Sequence, residues 1–92
     1  MAKHITGKKG PHIMLYAIST CPMCKKAKQL LSESGMEYYY EDADQLTDSA
    51  RRDLIADLER WNPKRSFPTT VFNNNRCVIG FLEQELRILL KA

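Results

Sequence analysis

Residues 12–34 of this chain join an almost unbroken apolar run, His12-Ile13-Met14-Leu15-Tyr16-Ala17-Ile18, to an amphipathic segment through Ser19-Thr20-Cys21-Pro22-Met23-Cys24. A strand with one wet face would alternate apolar and polar residues, so the run predicts a central strand covered on both faces. From Pro22 to Ser34, the residues Met23, Ala27, Leu30, Leu31 and Ser34 fall on one helical stripe. Lys25, Lys26, Lys28 and Gln29 face away, and Gly35 stands at the stop position. A buried strand running straight into an amphipathic helix points to layered packing of helix on sheet.

Met36 to Glu41 sets Met36, Tyr38 and Tyr40 against Glu37, Tyr39 and Glu41, a period of two. Strand, helix and strand in succession imply a parallel pairing. A second helix is predicted from about Thr47 to Trp61, on Ala50, Leu54, Leu58 and Trp61, until Asn62-Pro63 breaks it. Thr69 to Phe72 and Arg76 to Ile79 flank Asn73-Asn74-Asn75, residues that tolerate the left-handed conformation of a tight turn, which predicts an antiparallel hairpin. The last helix, about Leu82 to Lys91, puts Leu82, Leu86, Leu89 and Leu90 on its buried stripe and a Glu83–Arg87 pair on its surface. The order β-α-β-α-β-β-α describes an α/β domain with a four-stranded mixed sheet flanked by helices.

Ninety-two residues suit a single domain. The net charge is +3, with Lys3, Lys8 and Lys9 in the first eleven residues; from His12 onward five Lys and six Arg balance five Asp and six Glu. The excess is therefore expected in a flexible basic tail, residues 1–11, ahead of a domain over residues 12–92. No aromatic platform accompanies that tail, so no nucleic-acid partner is expected. Gly7-Lys8-Lys9-Gly10 lacks the spacing and the Lys-Ser/Thr step of a phosphate loop. No apolar h-region precedes His12 and no apolar run is long enough to span a bilayer, which gives the expectation of a cytoplasmic protein off the membrane, with a monomer as its state.

Three cysteines, two close together and one remote, do not make a secreted disulfide scaffold. Residues three apart share one face when the backbone curls into the first turn of a helix. Cys21 then falls at the N-cap and Pro22 at the first helical position, where a fixed φ and a missing N–H cost nothing. The free N–H groups of that turn and the helix dipole favour thiolate at Cys21, the reactive form. Cys21 is thus the candidate nucleophile toward a disulfide, and Cys24, on the stripe of Ala27 and Leu31, the more buried thiol that resolves the mixed disulfide. The competing reading is a metal- or iron–sulfur-cluster-binding module using Cys21 and Cys24. A zinc site needs four ligands and no second pair exists, so no metal is assigned. Cys77 is read as a small buried hydrophobe.

With Cys-Pro-x-Cys at a strand's end, Phe67-Pro68-Thr69 before a strand and Gly80 after the hairpin, the chain resembles the glutaredoxin family of the thioredoxin superfamily over residues 12–92. The resemblance implies a thioredoxin-like fold, disulfide oxidoreductase activity, a cis bond at Pro68 opposite the dithiol, and a Phe67 backbone free to pair with substrate. It makes Thr20, Pro22, Met23, Arg65, Phe67, Pro68, Gly80, Phe81 and Glu83 candidate substrate-binding residues. It implies no bound cofactor. The implied partners are a disulfide-containing protein or a glutathione mixed disulfide, with glutathione or a thioredoxin-reductase-type flavoprotein as reductant.

Two departures bear on that reductant. Glutathione-using dithiol members commonly carry a lysine three residues before the first cysteine, where this chain has Ile18, and Gly-Gly-Ser/Cys-Asp where it has Gly80-Phe81-Leu82-Glu83. Arg65 or Lys64 would then supply the cation, and Glu83 the contact to the tripeptide's amino group. Gly80-Phe81 is similar to the step found in members reduced by thioredoxin reductase. Monothiol members that bridge iron–sulfur clusters carry Cys-Gly-Phe-Ser, without the proline and second thiol present here.

Overall fold

A computed structural model describes residues 2–91; Met1 and Ala92, the outer ends of the expected tail and domain, lie outside them. The strands are β1 (Lys3–Ile5), β2 (Ile13–Ala17), β3 (Tyr38–Asp42), β4 (Thr69–Phe72) and β5 (Arg76–Ile79), and the helices α1 (Pro22–Glu33), α2 (Asp48–Trp61) and α3 (Glu83–Lys91). They build one mixed sheet in the order β1-β3-β2-β4-β5. The apolar run supplies the central strand, β2. It pairs in parallel with β3, Ala17 opposite Asp42, and antiparallel with β4, Tyr16 opposite Thr69.

Alternate residues of β2 enter two cores, which is why its sequence shows no polar face. Ile13, Leu15 and Ala17 pack with Cys24, Ala27 and Leu31 of α1 and Leu86 of α3. Tyr16 and Val71 pack with Leu54 and Leu58 of α2 on the other side. The hairpin turns through Asn73 and Asn74 at φ 54° and 53°, the left-handed conformation its asparagines predict.

The sheet has five strands rather than four. The added strand comes from the segment expected to be a flexible tail: Lys3, His4 and Ile5 pair antiparallel with Tyr40, Tyr39 and Tyr38. His4 stacks on Tyr39 at 4.5 Å and hydrogen-bonds Glu37 at 2.6 Å, while Ile5 packs against the core. The Lys8 N–H donates to the Gly35 carbonyl at 2.8 Å and the Glu37 N–H to the Lys8 carbonyl at 2.9 Å. Charge counting placed the lysine side chains in solvent, where Lys3, Lys8 and Lys9 do lie. It is blind to backbone pairing, and an uncovered β3 edge would leave a row of unpaired donors and acceptors.

Side-chain directions differ at a few positions. Met23 and Leu82, expected inside, are 40% and 47% exposed, and Ala50 is exposed. The buried stripe of α1 runs through Cys24, Ala27, Leu30 and Leu31 as expected, but Lys28, expected to face away, is turned half inward. A 3₁₀ turn at Ala43–Gln45 follows β3, and β3 itself starts two residues later than its alternation suggests. Given these strand directions, Ile18 to Cys24, the 3₁₀ turn, Phe67-Pro68 and Gly80-Phe81 all lie at one end of the sheet.

Candidate active site

Cys21 caps α1 in extended conformation, φ −80° and ψ 120°, with Pro22 as the first helical residue. The Cys24 N–H donates to Cys21 Sγ at 3.2 Å, and the Ile18 N–H donates to Cys24 Sγ at 3.5 Å. The Cys21 N–H bonds the Ile18 carbonyl at 3.1 Å, so one residue of the preceding turn serves both cysteines. Both thiols are free; Cys21 is half-buried and Cys24 fully buried.

These surroundings drive the two thiols apart. At Cys21 burial pushes the pKa up, but hydrogen bonds from the Cys24 thiol and from the Cys24 and Met23 N–H groups outweigh it and hold the group below its ordinary value. At Cys24 burial comes first, reinforced by the hydrogen bond to the Cys21 sulfur and by its charge. Together they push the thiol up to about 12, against the Ile18 N–H and the Lys28 ammonium. The pair therefore holds one thiolate-leaning sulfur at the surface and one thiol beneath it.

Across the sheet end, the Phe67–Pro68 bond is cis and Pro68 is fully buried. The Gly80 N–H donates to the Pro68 carbonyl at 2.7 Å, from a glycine at φ 87°, a conformation costly for any other residue. Among the described residues no backbone group pairs with that of Phe67. The loop is pinned from below by Asn62, 1% exposed, whose side-chain amide donates to the Ser66 carbonyl, Ser66 Oγ and Thr69 Oγ1 at 2.8 to 3.2 Å. The turn before Cys21 is held in a similar way. The Ser19 N–H donates to Asp44 Oδ1 at 2.8 Å and the Ser19 hydroxyl to Asp44 Oδ2, drawing the Asp44 carboxyl down to about 2.

The glutaredoxin family profile matches residues 13–78, from the first residue of β2 into β5. The chain belongs to the glutaredoxin family. A solved glutaredoxin from Methanosarcina mazei Go1 is 34% identical, with 99% of this chain and 88% of that one covered at a TM-score of 0.91. Methanoredoxin from Methanosarcina acetivorans is also 34% identical, with 95% and 100% covered at 0.85. Glutaredoxin grx-1 from Archaeoglobus fulgidus is 26% identical, with 87% and 86% covered at 0.82. No curated protein matches the chain.

Within this glutaredoxin fold, Thr20, Pro22 and Met23 are exposed on the dithiol turn, while Phe67 and Phe81 are half-buried against the core that holds Cys24. Gly80 meets Pro68 through its N–H. Arg65 is exposed at φ 54° in the loop that leads to Phe67. Glu83 opens α3 with its carboxylate held by Arg87 at 2.8 Å, and borders a cleft of about 210 Å³ with Phe81, Lys26 and Gln29. Cys77 is half-buried, its thiol donating to the Trp61 carbonyl at 3.6 Å. Among the described residues no group of three or more His, Cys, Asp or Glu is arranged to hold a metal ion, and no helix is long and apolar enough to cross a membrane. Sequence reading missed Ser19, Asp44 and the Lys28–Asp42 pair, because their partners lie 25 and 14 residues away in the chain, and Asn62, because its bonds to Ser66 and Thr69 depend on the shape of an irregular loop.

Proposed function

We propose that this glutaredoxin is a thiol–disulfide oxidoreductase working by a two-cysteine exchange. The observation that carries the reading is the divergence of two thiols three residues apart, one favoured as thiolate at a helix N-terminus, the other buried and protonated. The Cys21 thiolate attacks one sulfur of a substrate disulfide; a Cys21–substrate bond forms, the substrate S–S bond breaks, and the departing thiolate takes a proton. Cys24 then gives up its proton and attacks Cys21 Sγ, forming the Cys21–Cys24 disulfide and releasing the second substrate thiol. Two electrons pass to the substrate, and a reductant returns them to the pair.

The unpaired Phe67 backbone, at the same end of the sheet as Cys21, suits an extended substrate segment or a mixed disulfide laid beside it. A disulfide-bearing protein or a glutathione mixed disulfide is the proposed substrate. Glutathione or a thioredoxin-reductase-type flavoprotein is the proposed reductant, distinguished by turnover with each system in turn. The deciding experiment is Cys21→Ser in an assay of disulfide reduction. Loss of turnover is expected, and turnover at the wild-type rate overturns the reading.

A further inference from the structure

We infer that Lys28, clamped by Asp42, is a positioning residue for the second half of this exchange, setting the charge environment in which Cys24 resolves the mixed disulfide. The inference rests on the two-cysteine reading and concerns only its second step. Lys28 follows Cys24 by four residues, one turn on along the same face of α1. Its neighbours Lys25 and Lys26 reach into solvent, whereas the Lys28 side chain is 23% exposed. Its Nζ lies 2.8 and 3.1 Å from the two Asp42 carboxylate oxygens, and 4.5 Å from the centre of the Tyr40 ring.

Asp42 is itself buried and ends β3 directly opposite Ala17, the residue before Ile18. The Ile18 N–H rests on Cys24 Sγ. Cys24, Ile18, Asp42 and Lys28 thus close a ring from α1 to the end of β2, across to β3 and back to α1. Desolvating an ammonium and a carboxylate is costly, and solubility does not require it when Lys25 and Lys26 already cover the helix. What the clamp achieves is a cation held one turn from the buried thiol.

The second step is where that cation matters. In the free dithiol the charge developing at Cys21 opposes ionisation of Cys24. Once Cys21 is bonded to substrate, that charge is gone. Burial still opposes the Cys24 thiolate, and the Ile18 N–H and the Lys28 charge favour it. The ionisable groups bearing on Cys24 are Cys21 and Lys28; those around Lys28 are Asp42, Tyr38, whose hydroxyl donates to the Lys28 carbonyl at 3.5 Å, and Tyr40, whose ring is also shared by Lys3 at 5.7 Å. In the step itself the Cys24 proton passes to solvent, its thiolate bonds Cys21 Sγ, and the bond to the substrate sulfur breaks.

The test uses the full chain carrying Cys77→Ser and the chromogenic disulfide 5,5′-dithiobis(2-nitrobenzoate), which releases one coloured thiolate on attack by Cys21 and a second on resolution. Lys28→Met is expected to leave the first phase unchanged, slow the second about tenfold and shift the midpoint of its pH profile up by about one unit. Lys28→Arg should restore the second phase to within about twofold of the parent. Lys28→Met combined with Asp42→Asn removes the orphaned carboxylate, which keeps the measurement available if the single variant does not fold, and should remain slow. A second phase of unchanged rate and pH profile in that double variant, or no recovery with Lys28→Arg, overturns the proposal. A second phase that persists in Cys24→Ser would instead overturn the two-cysteine reading, so the two failures are distinguishable.

Discussion

Cys24 acts on Cys21 Sγ twice, through its N–H and through its own thiol, while the helix N-terminus contributes the Met23 N–H. Cys24→Ala removes the side-chain donor and keeps the backbone ones, so the Cys21 pKa is expected to rise toward its ordinary value. Cys24→Ser keeps a hydroxyl donor and should raise it less. The pH midpoint of Cys21 alkylation by iodoacetamide reads both, and equal midpoints in Cys24→Ala and wild type would show that the backbone alone holds the thiolate. Cys24 also ties stability to pH. Its pKa is raised by folding, so its contribution is complete below the ordinary value of 9.0 and is lost as pH climbs toward about 12. Cys21, lowered by folding, contributes a slope of opposite sign only until the unfolded thiol is ionised as well, so above its ordinary value of 9.0 the loss from Cys24 dominates. Urea midpoints of the reduced protein should therefore fall between pH 9 and 11 relative to those of the oxidised protein, whose disulfide has no thiols to titrate.

The dithiol turn and the cis-proline loop are each anchored by one polar side chain from a different element. Asn62→Ala leaves Ser66 and Thr69 without their shared donor and is expected to cost about 1–3 kcal/mol, measured by urea unfolding, with slower disulfide reduction as Phe67 loses its seat. Asp44 is lowered by folding, so its contribution is present above its ordinary 3.8 and lost as pH falls toward about 2. Asp44→Asn should flatten the acid limb of stability between pH 4 and pH 2, and an unchanged limb would show that the carboxylate does not hold Ser19. Neither anchor was legible in the sequence, for a physical reason. The N-cap at Cys21, the stop at Gly35 and the asparagine turn follow from local rules that act within four residues. Ser19 meets Asp44 from 25 residues away, a contact that only the parallel pairing of β2 and β3 creates. Asn62, seven residues from Thr69, reads along the chain only as the stop before Pro63. The inward turn of Lys28 was hidden likewise, because a lysine among lysines reads as solvated until its partner on β3 is known.

At the scale of the whole molecule, the N-terminal segment belongs to the fold. The likeness to the Methanosarcina mazei glutaredoxin takes in 99% of this chain, well beyond the residues 13–78 of the family profile. Three lysines in eleven residues obscured a strand of only three residues, too short to show a period. One glycine lets the segment dock. A Cβ on Gly7 would lie 2.6 Å from the Gly35 carbonyl oxygen, 2.7 Å from the Met36 carbonyl carbon and 2.8 Å from the Glu37 nitrogen, all backbone atoms that no rotamer change can move. Gly7→Ala must push the segment off the sheet, breaking the hydrogen bonds of Lys8 with Gly35 and Glu37. The expected cost is about 1–3 kcal/mol of stability. The amides of Tyr38, Tyr39 and Tyr40 should then exchange with deuterium faster, while that of Leu15 in the central strand stays protected. Gly10→Ala is the control, since its Cβ meets only the end of the Met36 side chain, its methyl and sulfur, which can swing away. Gly7 faces the end of β3 opposite the dithiol, so Cys21 alkylation should be the same in all three proteins. If Gly7→Ala exchanged at the rates of Gly10→Ala, β1 would not depend on that close approach and the edge of β3 would be covered by side-chain stacking alone.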